Sequence, residues 1–289
     1  MPDVRSNGID ICYETLGDPA DPPLLLVMGL GAQLVDWPEE FCALLAGRGF
    51  HVIRFDNRDV GLSTWLDELG QPDLAAVFGG DRSTVGYLLG DLAADSAGLL
   101  KALGVDRAHV VGASMGGMIA QQLAIDSPDL VASLCSIMST TGDFTVGHPT
   151  PEAAAALMRP PATTREEAIA AAVATSRAIG SPGFEIVESE LERRAALKYD
   201  RAFHPAGAQR HYAAIIASPD RTPALGAVAA PTLVVHGEAD PLIDVSGGHA
   251  TAAAVPGAEL LVVPGMGHDL PRETWPGIVD AIVANAARA

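Results

Sequence analysis

Short apolar runs alternate with segments of helical spacing through the first half of the chain. Such alternation is typical of a mostly parallel β-sheet whose strands are joined by helices. The apolar runs predict strands over residues 9–15, 24–27, 51–55, 108–112 and 131–137. The segments between them predict helices over residues 37–48, 84–103 and 115–125. We therefore expect an α/β fold with a mostly parallel central sheet flanked by helices.

The alternation stops after residue 138. Residues 139–222, called the insertion below, contain no strand-like run and combine proline-rich loops with helical stretches at 165–179 and 184–199. Two strands and a final helix then return, at 232–236, 259–263 and 274–287. Because sheet-forming segments flank the insertion on both sides, we expect one α/β core (1–138 and 223–289) with a helical cap, or lid. A separate small domain is the alternative.

The chain of 289 residues has 36 acidic and 18 basic side chains, which give a formal net charge of −18. This charge repels phosphate backbones and anionic lipid surfaces, so we expect neither nucleic acid nor a membrane as a partner. The apolar runs are too short to span a bilayer, and the N-terminus lacks the pattern of a signal peptide. We therefore expect a cytoplasmic protein. The oligomeric state stays open, with a homodimer as one option.

Neither the cysteines nor a polar loop near residue 60 predicts a metal site. The three cysteines are widely spaced and form no C-x-x-C pair; they are Cys12, Cys42 and Cys135. The loop over residues 56–63 alternates charges, so we interpret it as a scaffold of ion pairs and hydrogen bonds. Metal binding by Asp56 and Asp59 is the alternative, which the neighbouring Arg54 and Arg58 disfavour.

Residues 112–116 have the sequence Gly-Ala-Ser-Met-Gly, a G-x-S-x-G motif between a predicted strand and a predicted helix. In that context the motif forms a sharp turn that exposes the serine hydroxyl above the sheet. The flanking glycines avoid side-chain clashes in so tight a turn. The helix N-terminus favours developing negative charge. Ser114 is therefore the candidate nucleophile, and an ordinary helix N-cap is the alternative.

A serine hydroxyl becomes a good nucleophile only when a base takes its proton. His268 follows the predicted strand 259–263 in a glycine-rich loop, at the edge where open α/β sheets collect functional residues. His236 also ends a strand, but it adjoins Gly237 and is better placed to shape that turn. The other histidines are expected at strand starts, in the insertion or on a helix: His51, His109, His148, His204, His211 and His249.

An acid that orients the histidine should follow another strand. Asp240 comes directly after the strand predicted at 232–236. A carboxylate there can hold the imidazole tautomer and stabilise the imidazolium. Glu238, Asp244 and Asp143 are the alternatives.

Acyl transfer also needs hydrogen-bond donors for the developing oxyanion. The backbone N–H of Met115, directly after the nucleophile, is one expected donor. The second should come from the loop after the strand at 24–27, where glycines let the backbone turn its amides inward. We expect the Leu30 N–H there, with Gly31 as the alternative.

Five stretches together resemble the α/β-hydrolase family, and within it the aclacinomycin methylesterase-like carboxylesterases: GDPADPPLLLVMG, HVIRFDNRDVGLST, GVDRAHVVGASMGG, APTLVVHGEADPLI and PGMGH. The resemblance covers roughly residues 9–138 and 224–287 and leaves the insertion unmatched. It implies a triad, in the order nucleophile, acid, histidine, and two oxyanion donors: Ser114, Asp240, His268, Leu30 and Met115. Met28-Gly29 stands where the family commonly has His-Gly, a departure that alters no backbone amide.

These residues predict a serine carboxylic ester hydrolase that needs no cofactor and acts on small hydrophobic esters, including methyl or short-chain esters, through an acyl-enzyme. Cofactor-free perhydrolase (haloperoxidase-type) chemistry and lactone or carbon–carbon bond hydrolysis on the same triad are alternatives. A non-catalytic small-molecule receptor is another. We expect apolar side chains to line the substrate pocket: Met28, Trp37, Met138, Phe144 and Met266.

Overall fold

The computed structural model describes residues 3–289, and the two residues before them, which the predicted core 1–138 includes, lie outside that range. Eight strands form its sheet: β1 Asp3–Ser6, β2 Ile9–Leu16, β3 Pro23–Val27, β4 His51–Phe55, β5 Ala108–Ala113, β6 Val131–Ile137, β7 Thr232–Gly237 and β8 Glu259–Val263. Their order is β1-β2-β4-β3-β5-β6-β7-β8. The β1–β2 and β2–β4 pairs are antiparallel, and all others are parallel. The predicted fold class is confirmed.

Helices connect the strands. Within residues 3–289 they are α1 Glu39–Ala46, α2 Leu74–Phe78, α3 Leu89–Ala102, α4 Met115–Asp126, α5 Pro151–Leu157, α6 Arg165–Ile179, α7 Glu188–Arg201, α8 Pro205–Ala217, α9 Thr222–Leu225, α10 Ser246–Ala254 and α11 Trp275–Ala286. Short 3-10 helices cover Leu34–Asp36, Asp67–Leu69, Pro128–Leu130 and Arg272–Thr274. None of the helices in this part of the chain has the length and apolar character needed to cross a membrane.

Alternate residues of the central strands face opposite sides of the sheet and build two apolar layers. Leu25 and Val27 of β3 pack in the layer that contains α3 and α4. Leu24 and Leu26 pack in the opposite layer, with α1 and α11. All four side chains are fully buried. An uninterrupted apolar run therefore marks a strand that is covered on both faces.

The helix predicted over residues 84–103 is wrong in its first part, because α3 begins only at Leu89. The Leu88 N–H donates to Asp91 Oδ2 at 2.8 Å, which closes the helix start at that point. Before it, Gly86 packs so closely on Leu69 that a Cβ there would lie 2.8 Å from a leucine methyl carbon. Residues 84–88, which have helical spacing, thus lie in a turn and a loop that packs on Leu69.

Six helices and strands have no counterpart among the predicted ranges: β1, α2, α5, α8, α9 and α10. For β1 and α5 the local reason is clear. Asn7 and Gly8 join β1 to β2 with φ of +46° and +84°, the geometry that Asn-Gly favours in tight hairpins. α5 starts at Pro151, in a stretch predicted as a proline-rich loop. Proline is favoured at the first helical position, and the Thr150 side chain accepts the Ala153 N–H at 3.2 Å. The loop prediction is therefore wrong there.

The insertion contains α5 to α8, and α9 begins at its last residue, Thr222. Residues 139–222 include no strand, as expected. α7 and α8 are connected to the core by buried or partly buried polar contacts, whereas α6 packs mainly on its neighbours α5 and α7. α7 and α8 are thus the helices of the insertion that contact the loops after β3 and β4.

A buried ion pair joins the loop after β4 to α3. Arg58 Nε lies 2.6 Å from Asp95 Oδ2, and Arg58 Nη2 lies 2.7 Å from Asp95 Oδ1. We expect Asp95→Ala to lower the free energy of unfolding by about 3–5 kcal/mol, because it leaves a guanidinium buried without its partner. Urea denaturation measures the loss.

Asp200→Ala is the matched control. Asp200 makes a similar two-pronged pair with Arg165, but about half of each side chain is exposed. Its loss should leave the free energy of unfolding close to the wild-type value, because solvent screens an exposed ion pair. Equal losses for the two variants would contradict the assigned importance of the buried pair.

Candidate active site

Ser114 lies between β5 and α4 with φ +57° and ψ −122°, a left-handed conformation that non-glycine residues seldom adopt. Its N–H donates to the Ile137 carbonyl of β6 at 2.9 Å, and its own carbonyl accepts the Gly117 N–H at 2.9 Å. These bonds hold the turn in its strained form. The hydroxyl is consequently presented at the carboxyl edge of the sheet.

Glycines around Ser114 are required by backbone contacts. A Cβ at Gly112 would lie 2.1 Å from the Gly116 carbonyl oxygen, and a Cβ at Gly116 would lie 2.1 Å from the Val27 carbonyl oxygen. Real Cβ atoms do not approach so closely. The turn is thus packed against the end of β3 as well as against itself, in agreement with the reason predicted for both glycines.

Three side chains from different strand ends form one hydrogen-bonded chain. His268 Nε2 lies 2.9 Å from Ser114 Oγ, and His268 Nδ1 lies 2.8 Å from Asp240 Oδ2. The second oxygen of Asp240 accepts the N–H groups of Leu242 and Ile243 at 2.9 and 3.0 Å. The Asp240 side chain is fully buried and the His268 side chain is 6% exposed. A carboxylate so placed accepts a hydrogen bond from Nδ1–H, which leaves Nε2 unprotonated and able to take the serine proton.

The alternative bases and acids have other partners. His236 Nε2 lies 2.7 Å from a backbone carbonyl oxygen of the next turn and 3.6 Å from Asp240 Oδ2. It shapes that turn, as expected. Asp143 and Asp244 accept nearby backbone N–H groups at 2.8 and 2.7 Å. Glu238 is exposed. Only Asp240 among these carboxylates contacts His268.

The loop after β3 lies directly beside Ser114, since a Cβ on Gly29 would be 3.1 Å from the serine Cβ. The Gly31 N–H already donates to His211 Nδ1 at 3.2 Å, which favours Leu30 over Gly31 as the free donor. Met115 is the first residue of α4, where N–H groups have no intrahelical acceptor. These observations support the two expected oxyanion donors.

The polar loop after β4 is a hydrogen-bonding scaffold. Asp56 accepts two backbone N–H groups at 2.7 and 2.9 Å and pairs with Arg201 of α7 at 2.7 Å. Asp59 pairs with Arg210 of α8 at 2.7 Å. Although burial opposes the shift, the Arg210 and Leu66 hydrogen bonds lower the pKa of Asp59. Residues 3–289 contain no group of three or more His, Cys, Asp or Glu side chains placed to hold a metal ion.

The predicted pocket residues separate into two groups. Met28 and Met138 are buried and follow β3 and β6, at the edge of the sheet that carries Ser114. Trp37 and Met266 are fully buried in the apolar layer beside α1 and α11, so the prediction that they line an open pocket is wrong. Phe144 is 71% exposed and belongs to no buried wall. Apolar side chains look alike in sequence whether they fill a core or line a cavity.

The insertion supplies contacts that sequence reasoning misses. The His268 N–H donates to the Ile179 carbonyl at 2.7 Å, and the Gly267 N–H donates to Ser181 Oγ at 2.7 Å. Ser181 in turn donates to Asp269, whose pKa is raised by burial. Ser181 lies in a loop without a motif, so no local signal could have found it. Hydrogen bonds to the insertion therefore hold the loop that carries His268.

A family model described as the α/β hydrolase fold matches residues 22–271. The chain belongs to the α/β-hydrolase family. It is 29% identical to a protein named rhodomycin D methylesterase DnrP from Streptomyces peucetius, over 99% of this chain and 98% of that protein. This relative agrees with the resemblance to methylesterases found in the sequence.

Solved structures of other α/β-hydrolases superpose over nearly the whole chain. A hydrolase from Pseudomonas aeruginosa PA01 has a TM-score of 0.73 and 26% identity, covering 100% of this chain and 98% of its own. An esterase from Exiguobacterium antarcticum has a TM-score of 0.76 at 17% identity, covering 99% and 98%, and therefore supports the fold alone.

The strained conformation of Ser114 has a measurable cost in this α/β-hydrolase. Glycine has no Cβ and adopts a positive φ without steric strain, whereas alanine keeps the strain. Ser114→Gly should therefore be more stable than Ser114→Ala by about 1 kcal/mol. Thermal or urea unfolding of the two variants compares them without any contribution from activity. A glycine variant less stable than the alanine variant would contradict the assignment of strain to this residue.

Proposed function

We propose that this α/β-hydrolase is a serine carboxylic ester hydrolase of the EC 3.1.1 type. The observation that supports it most directly is the hydrogen-bonded chain from Ser114 through His268 to Asp240, at 2.9 and 2.8 Å. A nucleophile, a base within hydrogen-bond reach and a third group that orients the base are the combination that activates a hydroxyl. Their neighbourhood also offers the two backbone donors that acyl transfer needs.

In the proposed acylation step, Ser114 Oγ attacks the ester carbonyl carbon while His268 Nε2 takes the hydroxyl proton. The carbonyl oxygen becomes an oxyanion that accepts hydrogen bonds from the N–H groups of Leu30 and Met115. Asp240 stabilises the imidazolium that forms. His268 then returns the proton to the alcohol oxygen as the carbon–oxygen bond breaks, leaving an ester between Ser114 and the acyl group.

Deacylation repeats the sequence with water. His268 takes a proton from water as the hydroxide attacks the acyl-enzyme, and it returns that proton to Ser114 Oγ when the acid leaves. The net reaction converts an ester and water into a carboxylic acid and an alcohol. Each proton transfer uses His268, and each oxyanion uses backbone amides, so the proposed steps call for no cofactor.

The proposed substrates are small hydrophobic esters, including methyl or short-chain esters. Met28 and Met138 support an apolar and adaptable wall near Ser114. The full-length relative named rhodomycin D methylesterase supports a methyl ester as one member of the class. We also propose that the insertion, residues 139–222, forms the cap of the site, because Ile179, Ser181 and His211 contact its loops.

A pre-steady-state assay with p-nitrophenyl acetate tests the proposal. Wild type should release a burst of p-nitrophenol equal to the enzyme concentration. Ser114→Ala should lose about 10⁶-fold in kcat. Asp240→Asn should lose about 10⁴-fold, because the amide favours the wrong imidazole tautomer.

Asp244→Asn is the matched control, since it changes a carboxylate four residues away that contacts nearby backbone N–H groups. It should retain the wild-type burst. Release by Ser114→Ala at the wild-type rate would overturn the triad. The absence of release by wild type, combined with tight binding of esters, would favour the receptor alternative.

An acyl-enzyme also predicts a partition ratio that does not depend on the leaving group. Methyl, ethyl and p-nitrophenyl esters of one short acid should give the same ratio of acid to ester product when ethylene glycol competes with water, because all three share one intermediate. Product analysis by chromatography measures this ratio. A ratio that changes with the leaving alcohol would exclude the common intermediate.

A bromination assay tests the perhydrolase alternative. Bromination in acetate and peroxide that is faster than ester hydrolysis would favour that activity.

A further inference from the structure

His211 lies on α8, inside the insertion, and is fully buried. Its Nδ1 lies 3.2 Å from the Gly31 backbone nitrogen, and its Nε2 lies 2.7 Å from the Arg58 carbonyl oxygen. Gly31 belongs to the loop after β3, and Arg58 belongs to the loop after β4. One imidazole of the insertion therefore joins two loops at the carboxyl edge of the sheet.

The two partners fix the tautomer of His211. A backbone N–H can only donate, so Nδ1 must carry no proton, and a carbonyl can only accept, so Nε2 must carry one. Only the neutral Nε2–H tautomer satisfies both partners. Burial lowers the pKa of His211 to about 4, so this neutral form prevails at neutral pH.

Close backbone contacts keep the imidazole in place. A Cβ on Gly207 would lie 1.9 Å from the Asp59 carbonyl oxygen, which shows how tightly α8 packs on the loop after β4. Arg210, one residue before His211, binds both oxygens of Asp59 at 2.8 and 2.7 Å. On the other side, a Cβ on Gly31 would lie 3.0 Å from Ala208 Cβ. α8 is thus fixed against both loops.

The Gly31 N–H belongs to the peptide plane directly after the one that carries the Leu30 N–H. Only the two dihedral angles of Leu30 separate the planes, because each peptide unit is rigid. A hydrogen bond that holds the second plane therefore limits the rotation of the first. Gly31 itself has φ +62°, so the backbone bends sharply at the point where His211 holds it.

We propose that His211 is a positioning residue for the oxyanion loop, holding the Leu30 N–H where it can donate to the oxyanion that forms when Ser114 attacks the ester carbonyl. The inference rests on the proposed ester hydrolysis and adds a residue to it. The ring nitrogens of His211 bond to Gly31 and Arg58, so the residue acts through Gly31. The insertion would then contribute to the rate of reaction and not only to the choice of substrate.

Two substitutions separate the partners of the imidazole. The Oδ1 of His211→Asn can occupy the place of Nδ1 and accept the Gly31 N–H, whereas the carboxamide of His211→Gln reaches the place of Nε2 and holds the Arg58 carbonyl. His211→Leu keeps an apolar side chain and loses both bonds. The readouts are kcat and KM for p-nitrophenyl acetate and the Ki of phenylboronic acid, which forms a tetrahedral adduct with an active-site serine.

His211→Leu and His211→Gln should lose about 10- to 100-fold in kcat, part of the 10²–10³ that removal of a whole oxyanion donor costs. KM should stay close to the wild-type value, because the donor acts in the transition state. The Ki of phenylboronic acid should rise by the same factor as kcat falls. His211→Asn should restore kcat to within a few-fold of wild type.

Ser218→Ala is the matched control for stability. Ser218 is the C-cap of α8 and accepts the Leu89 N–H at 2.9 Å, so its loss weakens the attachment of the same helix at its C-terminal end. Its melting temperature should fall while kcat and Ki stay at wild-type values.

The proposal is overturned if His211→Leu matches Ser218→Ala in kcat and Ki once both are folded. If His211→Leu does not fold, His211→Gln decides, and a wild-type kcat for it overturns the proposal equally. Failure of the proposed function has a different signature, since Ser114→Ala would then react like wild type whatever occupies position 211.

Discussion

Parallel pairing of β3, β5, β6, β7 and β8 makes all five strands end at one edge of the sheet. Ser114, Asp240 and His268 each follow one of these ends, which brings side chains from distant parts of the chain within hydrogen-bond reach, at 2.9 and 2.8 Å. Backbone hydrogen bonds between neighbouring strands set the relative positions of these ends. Every other feature of the site, including the strained serine and the oxyanion loop, is built on that edge.

Backbone contacts and buried charges keep the loops at this edge from relaxing. The glycines around Ser114 let the turn press on the end of β3, and the insertion supports the loops from the opposite side. His211 holds the loop after β3, Ser181 holds the loop of His268, and the arginines of α7 and α8 hold the loop after β4. A segment without sheet strands thereby fixes the positions of residues contributed by the sheet.

The sequence predicts the strands well because their physical signal is local. Runs such as Leu24–Val27 are covered on both faces, so every residue in them is apolar. The predictions fail where one contact outweighs the pattern. The hydrogen bond from the Leu88 N–H to Asp91 marks a later start of α3 than the spacing predicts. Pro151 begins a helix inside a stretch predicted as a proline-rich loop. Trp37 is predicted to line a pocket but lies in the core. The residue type alone does not say whether an apolar side chain faces a cavity or the interior.

By itself the sequence determined the fold class, the family and the candidate nucleophile, base and acid, since each depends on a short motif next to a recognisable strand. The tertiary structure alone decided which side chains hold those groups in place. His211 and Gly31 are 180 residues apart, and Ser181 and Gly267 are 86 residues apart. A hydrogen bond depends on the distance between two atoms in the folded chain, and no local pattern of residues encodes that distance.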